Sequence, residues 1–230
     1  MIRYKNIVII GTSHIARESM EEVRKAIEDE KPCIVAIELD KKRLYALQSG
    51  QKIGKLPAIR RVGLKGFLFS LIGAWAERKL GEVVGVSPGS EMKEAIFLAR
   101  KQGIKIMLID QDIEVTLQRF SQALSWKEKW NFFVDIVKAF VLRKKEVDFD
   151  LRKVPGKKLI NTMLNKVKQR YPNIYMVLID ERNLVMARNL EKIMQSHPDE
   201  KVVAVVGAGH EDGLSDLLSE RGISYSFSVR

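Results

Sequence analysis

Three histidines occur in the 230 residues of this chain, and two of them stand in one local frame. Ile7-Val8-Ile9-Ile10-Gly11-Thr12-Ser13-His14 is an apolar run followed by Gly-x-x-His and then a helical pattern. Val202-Val203-Ala204-Val205-Val206-Gly207-Ala208-Gly209-His210 repeats that arrangement near the other end of the chain. An apolar run closed by glycine reads as a buried strand turning sharply into a loop, since glycine accepts backbone conformations that other residues resist. In parallel α/β sheets, ligands bind in the crevice at the carboxyl ends of the strands. Two such strands lying near one another would present both imidazoles to one crevice. Glu38, after the run Cys33 to Ile37, is a third candidate at the same kind of strand end. Two histidines and a carboxylate with an open position are the usual ligand set of a hydrolytic metal centre, with Mn, Co or Zn as the expected divalent ion.

Other readings attach to these residues. Glu38 also suits a cap for the helix that begins at Lys41. Gly11-Thr12-Ser13 and Gly207-Ala208-Gly209 have the look of phosphate turns at helix N-termini. Neither is a Gly-x-x-x-x-Gly-Lys-Ser/Thr loop, and Gly-Ala-Gly-His lacks the third glycine of the dinucleotide fingerprint, so a nucleotide site is not favoured. His197, next to Pro198, reads as a helix terminus without a chemical role.

The elements that must position these groups follow from the hydrophobic pattern. Arg3 to Ile10 reads as a strand, Ile15 to Glu30 as an amphipathic helix stopped by Pro32, and Cys33 to Ile37 as a second strand. A βαβ opening of this kind predicts parallel strands. Helices are predicted from Lys41, over Glu91–Gln102, Ile113–Leu124 and Trp126–Arg143, then over Lys158–Arg170 and Ile174–Gln195. Ile104–Ile109 and Lys201–Val206 read as strands, His210–Glu220 as a helix, and Ser224–Val229 as a closing strand. The fold class expected is α/β: a mostly parallel central sheet with flanking helices, forming a single domain over 1–230. Helical insertions at about 51–87 and 126–172 make a basic subdomain within it.

Composition agrees with a globular domain, with 46% hydrophobic and 30% charged residues. One cysteine, Cys33, excludes internal disulfides and is expected to be a buried small hydrophobe. The longest apolar run, Gly66 to Ala76, is about half of the roughly 20 residues a spanning helix needs. The net charge of +11 is concentrated: Lys41–Lys79 holds ten basic residues against one acid, and Lys127–Arg170 thirteen against five. Such segments suit an anionic membrane surface. Nucleic acid is the less favoured partner, since the aromatics among these cations fit amphipathic helices and no nucleic-acid motif is present. The apolar run is compatible with a core, a lipid contact or a homo-oligomer interface.

Several blocks in this order resemble the TraB/PrgY family, related to the Tiki metalloproteases and more distantly to erythromycin esterase-like proteins. They are Gly-Thr-Ser-His (11–14), Ile-Glu-Leu-Asp-Lys-Lys-Arg (37–43), Pro-Gly-Ser-Glu-Met (88–92) and Leu-Ile-Asp-Gln-Asp-Ile (108–113). Asp-Glu-Arg-Asn (180–183), Met186-Ala187, and Val-Val-Gly-Ala-Gly-His before Gly213 complete the set. The resemblance implies that His14 and His210 are the paired metal-binding histidines. It places Glu38, Arg43, Glu91, Asp110, Asp112, Glu181 and Arg182 in or beside the site. Gln111 departs from the family pattern, which usually has arginine there, and so removes a cation. The resemblance further implies a cytoplasmic domain tied to a membrane through a C-terminal region outside this chain. The expected activity is metal-dependent hydrolysis of a peptide or small-molecule substrate. Glu91 or Glu181 would serve as proton acceptor and Arg43 or Arg182 as oxyanion stabiliser. The competing expectations are a metal-free His/Glu esterase-like hydrolase and a non-catalytic, ligand-binding regulatory domain.

Overall fold

A computed structural model of the chain describes residues 1–12, 17–49, 89–131, 134–135 and 157–220. Its core is a five-stranded sheet of β1 (Ile2–Tyr4), β2 (Ile7–Thr12), β3 (Ile34–Ile37), β4 (Lys105–Leu108) and β5 (Val202–Gly207). The spatial order is β1-β2-β5-β3-β4, with β1 antiparallel to β2 and every other pairing parallel. The last described strand in sequence therefore fills the gap that the first βαβ crossover leaves between β2 and β3.

Eight helices are described: α1 (Arg17–Glu30), α2 (Lys41–Ser49), α3 (Ser90–Lys101), α4 (Ile113–Ala123), α5 (Lys157–Arg170), α6 (Pro172–Tyr175), α7 (Glu181–Ser196) and α8 (Ala208–Glu220). Residues 126–131 are also helical, and Met176–Asp180 form a π-helical turn leading into α7. The strands are apolar on both faces because both faces are covered. Val8, Ile10, Val35, Ile37, Val203 and Val205 pack against Val23 and Ile27 of α1 and Met92, Ala95, Ile96 and Ala99 of α3. Ile7, Ile9, Ile34, Ala36, Val202, Ala204 and Val206 turn the other way, onto Met186, Leu190 and Ile193 of α7 and Leu214 and Leu218 of α8.

Two expectations are corrected by this arrangement. The single strand from Arg3 to Ile10 is a hairpin: Lys5, with φ 48°, turns the chain between β1 and β2. The Asn6 side-chain amide fixes that turn by donating to the carbonyls of His197 at 3.0 Å and Glu200 at 2.8 Å. Cys33 is exposed, because it precedes β3 at the amino edge of the sheet, where only backbone pairing with Lys201 and Lys105 holds it. His197, as expected, ends α7 and accepts no place near the carboxyl edge. The segments 51–87 and 136–156, including the apolar run 66–76, and the expected strand 224–229 lie outside the described residues. Among the described residues, no helix is long and apolar enough to cross a membrane.

The topology selects one edge. Helix α1 leaves β2 on one face of the sheet while α8 leaves the adjacent β5 on the other. This divergence is a topological switch point, and the crevice outside the carboxyl ends of the strands opens there.

Candidate functional site at the carboxyl edge

The two strands that precede Gly-x-x-His are direct neighbours. β2 and β5 run parallel, with Gly11 opposite Val206 and Thr12 opposite Gly207. The contact is close: a methyl group on Gly11 would lie 3.1 Å from Ala208 Cα and from Glu211 Cβ and Cδ. Glycine suits this position because the first turn of α8 lies directly on β2. Thr12 closes the strand by donating its hydroxyl to the Val206 carbonyl at 3.1 Å. His14 lies outside the described residues; His210, in the first turn of α8, is buried.

Glu38 leaves the end of β3, which flanks β5 on its other side, and its backbone N–H still donates to the Val205 carbonyl. The capping role open to it belongs to Asp40 instead. Asp40 Oδ1 accepts the N–H groups of Lys42 at 2.7 Å and Arg43 at 3.1 Å, satisfying the first turn of α2. Glu38 is left to face β5. One of its oxygens accepts the Gly207 N–H, and the other meets Arg182 and lies 3.4 Å from His210 Nε2.

Around that carboxylate is a buried ionic network. Asp110, at the end of β4, has no exposed side-chain surface and is clasped by two guanidinium groups. Arg182 Nη2 and Arg43 Nη2 each lie 2.6 Å from its Oδ2, and Arg182 Nε reaches its Oδ1 at 3.1 Å. Arg43 also donates to Asp40 and to the Gln111 carbonyl. Burial alone would lower the pKa of both arginines. Glu38 and Asp110 around Arg182, and Asp110 and Asp40 around Arg43, outweigh it and hold both above the usual range. Both cations are therefore fixed charges at any working pH.

The remaining candidates are placed differently. Asp112 caps α4 by accepting the Glu114 N–H at 2.8 Å, and it pairs with Lys42 at the rim. Glu181 pairs with Arg119 of α4 at the partly exposed start of α7. Glu91 is buried in the first turn of α3. Since α3 runs back antiparallel to β4, its N-terminus belongs to the same edge of the sheet. The structure thus joins Glu38, His210, Arg182, Asp110 and Arg43 into one contiguous group. Asp112 and Glu181 sit in ion pairs beside it.

One site residue lacked an assigned role in the sequence reading. Asn183 Oδ1 lies 2.7 Å from His210 Nδ1, with both residues buried. The signal was present, since Asn183 follows Arg182 in the Asp-Glu-Arg-Asn block, but nothing in the sequence indicates which helix it meets.

The donor set can be weighed against a divalent cation. A ligating imidazole typically has its second nitrogen engaged by a neighbouring group, as His210 Nδ1 has, and Glu38 Oε1 stands opposite Nε2. These two side chains would supply two donors to such an ion. Among the described residues no group of three His, Cys, Asp or Glu side chains is arranged to hold a metal, and His14 lies outside them. Arg182 competes for the same Glu38 oxygen.

Comparison with known proteins places these features in a family. The family model described as TraB/PrgY/gumN family matches residues 3–226. The chain is 36% identical over 224 residues to an uncharacterized protein of Methanocaldococcus jannaschii, covering 94% of this chain and 54% of that protein. It is 27% identical over 233 residues to the TraB domain-containing proteins of Mus musculus and Homo sapiens, covering 90% of this chain and 61% of each relative. The chain therefore spans about half to three fifths of the length of the relatives it matches.

Proposed function

The chain belongs to the TraB/PrgY/gumN family, and on that premise we propose that its carboxyl-edge crevice is the site of a metal-dependent hydrolase acting on a peptide or amide bond. The observation that carries this reading is the convergence of adjacent strands: β2 and β5 pair in parallel, and Glu38 from β3 stands 3.4 Å from His210 Nε2.

In this reading His210 and Glu38, with His14 from its matching sequence frame, hold the cation. A divalent ion bound there supplies Lewis-acid polarisation and lowers the pKa of a bound water towards neutrality. Arg182 offers a fixed, largely desolvated positive charge to a developing oxyanion. Asp110 keeps its guanidinium plane in place, and Arg43 secures Asp110 from the other side. Glu91, buried in the first turn of α3, or Glu181, at the start of α7, would accept the proton. The basic residues of the 127–170 stretch would hold the domain against an anionic membrane surface.

A second reading has its own observation. Glu38, Asp110, Arg43 and Arg182 satisfy one another, and cavities of about 620 and 320 Å³ lie elsewhere, one between α2 and α3 and the other beside β1 and α7. An edge whose described charges already pair with one another suits a non-catalytic regulator.

Elemental analysis separates the two. Untagged protein, with His14→Ala and His210→Ala beside it, is incubated with Mn, Co or Zn and desalted. The hydrolase reading expects about one ion per chain, lost in both variants, together with metal-dependent cleavage of a peptide library. No retained ion in any sample overturns it. Cleavage that then persists in chelator would assign metal-free His/Glu chemistry, and no cleavage would assign the regulator.

A further inference from the structure

We infer that Asn183 is a positioning residue that decides which nitrogen of His210 carries the proton, and that Gly213 is glycine because Asn183 needs its space. The amide oxygen of asparagine only accepts hydrogen bonds. With Asn183 Oδ1 at 2.7 Å, His210 Nδ1 must carry the hydrogen, and in the neutral ring Nε2 keeps its lone pair. That lone pair faces Glu38 Oε1 at 3.4 Å.

Asn183 and Glu38, acceptors on opposite sides of the ring, thus compete for its proton. Glu38, a carboxylate, would draw it to Nε2, where it would close off the nitrogen that faces the crevice. Asn183 draws it to Nδ1 with the shorter contact. The competition is decided by how firmly the amide is held with its oxygen towards the ring. Gly213 lies one helical turn beyond His210 on α8, and a methyl group there would collide with Asn183 Nδ2 and lie 3.4 Å from its Cγ. The Asn183 amide is short and buried, so it has little room to move away. The Asn183 side chain is thereby seated between the ring and the helix backbone, both contacts being made by α8.

The use of that lone pair rests on the hydrolase reading, but the proton's position does not, and it can be measured without metal or substrate. Long-range ¹H–¹⁵N spectra of histidine-labelled full chain, in chelator and at a pH where the ring is neutral, distinguish the two tautomers. His210→Gln identifies the signal among three histidines. The expected result is an unprotonated Nε2 in the wild type, retained in Asn183→Asp, which preserves the acceptor. In Asn183→Leu and in Gly213→Ala the proton is expected on Nε2. A wild type protonated at Nε2 overturns the inference, as does Asn183→Leu with the wild-type tautomer. If the leucine variant does not fold, Asn183→Asp decides: a proton on Nε2 there overturns the inference, and one on Nδ1 supports it. An unprotonated Nε2 in a protein that neither binds metal nor cleaves peptides would leave the positioning role standing and remove the hydrolase.

Discussion

Asp110 Oδ2 lies 2.6 Å from Arg182 Nη2, and this carboxylate with no exposed side-chain surface also carries Arg43 at the same distance. One anion from β4 therefore locks an arginine from α7 to an arginine from α2. Breaking a buried pair by removing one partner leaves an uncompensated charge and typically costs about 3–5 kcal/mol. Asp110→Ala should destabilise the domain by about 3 kcal/mol or more, measured as a lowered midpoint of urea denaturation. A loss below about 1 kcal/mol would mean that the two guanidinium groups find equal partners elsewhere.

Glu38→Gln tests the opposite balance. The amide keeps an oxygen for the Gly207 N–H, and Arg182 keeps Asp110, so the stability cost should be smaller than for Asp110→Ala. On the proposed hydrolase reading, metal retention and hydrolysis should both fall by at least about 10-fold, because a neutral amide is a poorer ligand for a divalent cation than a carboxylate. Full activity in a folded Glu38→Gln protein would remove Glu38 from the chemistry.

Gly11→Ala addresses the approach of α8 to β2. Its methyl group would lie 3.1 Å from Ala208 Cα, a backbone atom that cannot swing aside. Overpacking of this kind costs about 1–3 kcal/mol, and thermal unfolding should report it as a clear drop in Tm. An unchanged Tm would show that α8 shifts freely on the sheet.

Glu128 provides a pH dependence with a definite sign. It is buried and accepts from Ser125 N at 3.0 Å, Ser125 Oγ at 2.9 Å, Asn173 N at 2.8 Å and Asn173 Nδ2 at 2.9 Å. Burial alone would raise its pKa, but these donors hold it below the usual glutamate range. Its folded value lies below the unfolded value of about 4.3. The stabilisation is therefore complete above that pH and is lost as pH falls through the folded value. Glu128→Gln should be less stable than the wild type near neutrality, by roughly 1–3 kcal/mol, with the gap narrowing below about pH 4. A gap that stays constant with pH in denaturant titrations would contradict the assignment.

Local chemistry made much of this protein legible in its sequence. The doubly apolar runs at 7–10, 34–37 and 202–206 are strands buried on both faces, and helical spacing located α1, α3 and α4 within a few residues, while the one helix expected over 174–195 is α6, a π-helical turn and α7 in succession. Other features needed distant partners. The turn at Lys5 is stabilised by Asn6 reaching carbonyls about two hundred residues away, so a continuous strand was the natural reading of 3–10. Cys33 reads as part of an apolar run, yet it lies just before the pairing begins and faces outward.

The same division holds for the site. Glycine before histidine after an apolar strand is a local pattern, and so are the carboxylates and arginines of each block. What no local pattern contains is the insertion of β5 between β2 and β3, which makes neighbours of the segments before His14, Glu38 and His210. In the sequence, Glu38 suits a cap for α2. The backbone direction at the end of β3 assigns the cap to Asp40 and turns Glu38 towards β5. Residue types and strand ends are decided by short-range sterics and hydrophobic period, and so they are written in the chain. The pairing of Asn183 with His210, and of Arg182 with Glu38 and Asp110, depends on how helices from both faces of the sheet meet at one edge.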